Sequence, residues 1–79
     1  MTQAQAVRIQ RELVPGSGCV PNGDPFLTYG IWVLHFTYGG IGLSVFLIDR
    51  LIASEPDHQW AKEEAARKLA EAIARPDMF

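Results

Sequence analysis

The stretch "PFLTYGIWVLHFTYGGIGLSVFLI", residues 25–48, carries no formal charge, and its only ionisable imidazole is His35, near the middle. Residues 26–48 give 23 uncharged positions in a row. A helix over them, rising about 1.5 Å per residue, is roughly 34 Å long, enough to cross a hydrocarbon core of about 30 Å with some tilt. A cleaved secretion signal fits poorly, because the run starts late, is long, and no small-residue cleavage site follows it. A buried helix of a globular domain is the alternative, but nothing else in the chain looks able to cover it. The sequence therefore predicts an all-α chain: a single-pass transmembrane helix over 25–50, a short N-terminal helix and a polar C-terminal helix.

Polar segments flank that span on both sides. Residues 1–24 form a polar segment in which Ala6, Ile9 and Leu13 recur at helical spacing before "VPGSG" breaks the pattern, predicting a short surface helix and then a turn-rich linker over 15–25. Asp24 before Pro25 suits a helix start, with a capping carboxylate followed by proline in the first turn. Tyr29 lies near enough to that start to anchor at an interface, Trp32 is too deep for it, and Asp49 with Arg50 marks the far boundary. Residues 51–79 predict an extramembrane helix, opened by Ser54 and Asp57 and stopped at Pro76. Its narrow stripe of Ala66, Leu69, Ala70 and Ile73 reads as a docking face for another protein. The placement of arginine and lysine leans towards a cytoplasmic C-terminus.

Composition narrows the function classes. Seventy-nine residues are few for a large independent core, so staples or partners are expected. Cys19 is the only cysteine, which excludes an intramolecular disulfide, and no zinc-site spacing occurs. A net charge of −2 without a basic patch argues against nucleic acid. No nucleophile, base and oxyanion donor can be assembled, so the chain is expected not to be an enzyme and to have no small-molecule substrate of its own. Cys19 is a candidate for lipidation, and His58, in a polar stretch, needs no role.

Plotted on a helix, His35, Gly39, Gly42, Phe46 and Asp49 share one face, and Gly30, Thr37, Gly40 and Ser44 lie roughly opposite. Gly40 and Ser44 make a small-xxx-small step that lets helices approach closely in lipid. Gly30, Thr37, Gly39, Gly40, Gly42 and Ser44 are accordingly the expected helix-packing positions. An imidazole within a membrane span faces protein or a cofactor. His35 has three readings: a hydrogen bond to an oxygen on a neighbouring helix, ligation of a tetrapyrrole metal with Gly39 leaving room for the ring, or a proton or quinone role.

The stretch "LIDRLIASEPDHQW" (47–60) resembles the end of the membrane helix in light-harvesting alpha polypeptides of purple bacteria. Ser54 and Trp60 stand five and eleven positions after Asp49, the offsets that family shows from its pigment-ligating histidine; Asp49 occupies the histidine's place. The layout is also similar to the single-helix accessory polypeptide of reaction-centre–antenna complexes, although the proline-rich segment that follows the span in that family is missing. The resemblance implies a non-catalytic accessory subunit of a photosynthetic membrane complex, in contact with other subunits, lipid, and bacteriochlorophyll, chlorophyll or carotenoid. The alternatives are a supernumerary subunit of a respiratory oxidase, with haem as the cofactor, and a small self-assembling membrane protein.

Overall fold

A computed structural model describes residues 1–52 and 58–75, and in it the decisive stretch is strand rather than helix. Along the chain the elements are α1 (Gln3–Glu12), β1 (Cys19–Pro21), β2 (Phe26–Thr28), β3 (Ile31–Tyr38), β4 (Ile41–Ile48), α2 (Asp49–Ile52) and α3 (Gln59–Ala74). The hinge of the hairpin is "YGGI". Tyr38 pairs with Ile41, and Gly39 and Gly40 take φ of +56° and +84°. Two successive left-handed residues make the type I′ turn whose twist matches paired strands, and glycine reaches them without a Cβ clash. Tyr29 and Gly30 turn β2 into β3 in the same way, with Thr28 opposite Ile31 and φ of +49° and +74°.

Isoleucine, valine, threonine and aromatic residues crowd the two long strands, and these side chains fit a pleated surface better than a helix. Strand β3 is central. Strand β4 pairs with it over its whole length, while β2 and β1 pair antiparallel with its two halves on the other side. Asn22 N–H donates to the His35 carbonyl at 3.0 Å and Phe26 stands opposite Val33, so residues 23–25 face Leu34 alone. That interruption is held by α1. The Gln10 side chain donates to the carbonyls of Gly23 and His35, each at 2.9 Å, and Gln3 donates to that of Pro25 at 2.6 Å.

One face of the sheet carries the core. Trp32 opposite Leu47, Leu34 opposite Val45, and Phe36 opposite Leu43 are all buried, in one cluster with Ala6 and Ile9 of α1 and Ala61, Ala65, Leu69 and Ala72 of α3. Each large side chain so buried contributes about 1.5–3 kcal/mol. The alanines of α3 let the helix lie close against β4. Thr2 and Gln5 close a capping box at the start of α1, and Lys62 bridges Glu12 at 2.9 Å to tie α3 to α1.

Several expectations are corrected by this fold. The all-α chain gives way to an α+β arrangement, a four-strand antiparallel sheet with flanking helices, and no helix among the described residues is long and apolar enough to cross a membrane. The single-pass membrane location, its cytoplasmic C-terminus, and the photosynthetic, respiratory and self-assembling membrane-subunit functions all rested on that span and fall with it. The physical reason is that the outer positions of the hairpin carry no charge: His35, Thr37 and Ser44 alternate with core residues only towards the turn, while Ile31, Val33, Phe46 and Ile48 are apolar, so the run reads as one uncharged span. Pro25 opens no helix but is buried ahead of β2, and Tyr29 is fully exposed at a turn. The stripe of Ala66, Leu69, Ala70 and Ile73 is rotated from the one that packs: Leu69 is buried within the chain, whereas Ala66 and Ala70 are exposed. Ser54, Asp57 and Pro76 lie outside the described residues.

Candidate docking face and strand edge

Side chains alternate along a strand, so the residues between the core positions point to the opposite face. On β3 these are Ile31, Val33, His35 and Thr37; on β4 they are Gly42, Ser44, Phe46 and Ile48. Phe26 joins them opposite Val33, and Val20 opposite Thr37. Among the described residues no helix packs on this outer face, the buried positions of α1 and α3 lying with the other one. Val33 is only 5% exposed yet stands apart from the core cluster, because in register it lies between Phe26 and Phe46. Around it Val20, Phe26, Phe46 and Ile48 are exposed. None of these strand positions bears a charged side chain.

His35 sits in the middle. Its Nδ1 is 2.9 Å from Ser44 Oγ, its cross-strand partner, and its ring lies 5.7 Å from that of Phe26 between centroids, tilted by 38°. The pair satisfies two polar groups within an otherwise apolar surface. The positions expected to pack helices are dispersed by the fold. Gly39 and Gly40 form one turn and Gly30 part of another, while Thr37, Gly42 and Ser44 lie on the outer face. Gly39 therefore does not share a helix face with His35. Asp49 instead opens α2 directly after β4, where its carboxylate accepts the Trp32 indole N–H at 2.8 Å. Cys19 is a buried free thiol.

The other open feature is the free edge of β4. Asp49 N–H donates to the Gly30 carbonyl at 2.9 Å, which fixes the phase of the ladder. It follows that Gly42, Ser44, Phe46 and Ile48 turn their backbone groups away from β3. Among the described residues only one side chain reaches that edge: Lys68 Nζ donates to the Phe46 carbonyl at 2.6 Å. A cleft of about 200 Å³ runs between the edge and α3, lined by Ser44, Val45, Phe46, Arg67, Lys68 and Glu71. Arg67 is engaged by Glu64 and, at 2.6 Å, by Glu71; Glu64 above all raises its pKa above the ordinary arginine value.

Nothing in the sequence reading pointed to the face or the edge. The signals were present in "YGGI" and in the density of β-branched and aromatic residues around it. Among the described residues no three histidine, cysteine, aspartate or glutamate side chains gather to hold a metal ion. No known family, curated protein or solved structure matches the chain.

Proposed function

We propose that the protein is a non-catalytic interaction module whose working form is a pair of identical copies, packed outer face against outer face as a sandwich of two sheets. The observation that carries this reading is the uncovered, uncharged apolar surface on β3 and β4. Contiguous exposed apolar patches of this kind mark association sites. A nucleic acid needs cations, and this face offers none. A charged protein surface would strand its charges against it. A second copy offers a surface of the same size, flatness and lack of charge, and aligned sheets pack about 10 Å apart with interdigitating side chains.

Size sets the strength. Two strands of eight residues, β3 and β4, with the shorter β1 and β2 sharing a third row, span at most about 14 Å by 27 Å, so each face has no more than about 400 Å². Two of them bury at most about 800 Å², below the 1,200 Å² or more of a standard interface. An interface of that size is expected to be weak and reversible. His35 and Ser44 enter the interface already paired with each other, which removes the penalty for burying either alone.

Sedimentation velocity over a micromolar to millimolar series tests this. The wild-type chain should pass from monomer to dimer, and Phe46→Ser with Ile48→Thr should hold it monomeric with its fold intact. A wild-type chain that stays monomeric throughout, or a double variant that dimerises equally well, overturns the proposal.

A further inference from the structure

Besides its outer face, the sheet leaves β4 open along one side, and we infer that this edge, with the cleft beside α3, takes an extended peptide carrying an acidic side chain. The inference does not rest on the dimer, because face-to-face packing leaves the edge untouched.

The edge is built to pair. From Ile41 to Ile48 it carries no charge and no proline, the devices that usually blunt an edge strand. Gly42 and Ser44 present main-chain groups with no bond to any described residue, and the Phe46 carbonyl is held by an ammonium rather than by a strand. An incoming strand would supply N–H and C=O groups to this row and displace Lys68 from the carbonyl, the mode of strand addition.

The cleft decides what the strand must carry. Alternate side chains of an added strand point to opposite faces. One set lies beside Phe46 on the outer face, and one member of the other set drops into the cleft of about 200 Å³ against α3. The charges there are unequal. Arg67 is shared between Glu64 and Glu71, but Lys68 meets no carboxylate among the described residues. A glutamate in the incoming segment fits both features, with its methylene stem against the cleft wall and its carboxylate on the Lys68 ammonium. A second copy of β4 is the poorer occupant, since "IGLSVFLI" supplies no carboxylate.

The test is panning of the full chain against a phage-displayed random peptide library, followed by titration of the enriched peptides into isotopically labelled protein. Enriched sequences should be β-branched with one dominant acidic position, and they should shift the amide signals of Gly42, Ser44 and Phe46. Lys68→Met should weaken binding about tenfold, and Lys68→Glu should transfer it to peptides with lysine at the acidic position. N-methylation of an alternate peptide amide should abolish binding, and this control leaves the protein unaltered. No enrichment, enrichment without an acidic position, or shifts confined to another surface overturns the inference. Loss of the dimer with retained edge binding, or the reverse, separates its failure from that of the dimer.

Discussion

The two faces of the β3–β4 hairpin are both free of charge and both carry large apolar side chains, and they meet opposite fates. Trp32, Leu34, Phe36, Leu43, Val45 and Leu47 are covered by α1 and α3, whereas Phe46, Ile48 and Ile31 on the other side are left open. Charge does not distinguish them, and the polar His35, Thr37 and Ser44 of the open side do not account for the exposure of Phe46, Ile48 and Ile31. What does is the supply of cover: α1 and α3 carry their buried positions against one face, and none of the described residues is left to roof the other. A face that is apolar without being needed for the core is a face available to a partner.

The sharpest way to break that comparison is to truncate one aromatic on each side. Phe36→Ala on the covered face should cost about 3–5 kcal/mol, enough to leave so small a domain largely unfolded. Phe46→Ala on the open face should cost less than about 1 kcal/mol when measured on the monomer. Urea titrations at low protein concentration compare the two; equal losses would mean that the outer face is as structural as the inner.

A smaller effect sharpens the covered side. Gln10 is fully buried, and its amide bridges the break between β1 and β2 through Gly23 and His35. Gln10→Met keeps the bulk and removes both bonds, so stability should fall by about 1–3 kcal/mol. Amide exchange at Asn22 and Val20 should accelerate more than at β4. The smallest change is at the turn. Tyr29, wholly exposed, sits at φ +49°, where a bulky residue is strained and asparagine is tolerated. Tyr29→Asn should raise stability by about 0.5–1 kcal/mol without altering the dimer, as thermal unfolding would register.

How much of this could be read from the residues follows from the same contrast. The terminal helices were legible: Ala6 and Ile9 of α1 and Leu13, which caps it, repeat with the helical period, and the alanine, glutamate and lysine run favours α3. The sheet was hidden. Strands are recognised when one side is polar, and here Val33, Phe46 and Ile48 fill the positions where a polar residue would have broken the run. Two eight-residue strands joined by two glycines then add up to the length of a membrane span. The glycine pair at 39–40 was the mark of a hairpin, and a helical projection turned it into a packing surface. The candidate site was illegible for a further reason, since the free edge of β4 exists only once pairing is known.

Both tight turns of the meander also bear on the order in which the molecule assembles. From Phe26 to Ile48 each strand pairs with its immediate neighbour in sequence, so that portion closes only short loops. Gln10, by contrast, reaches His35 across 25 residues. Closing that long loop costs more chain entropy than zipping either hairpin. The meander should therefore be in place early, both of its greasy surfaces momentarily bare, with the arrival of the first helix deciding which of them becomes interior.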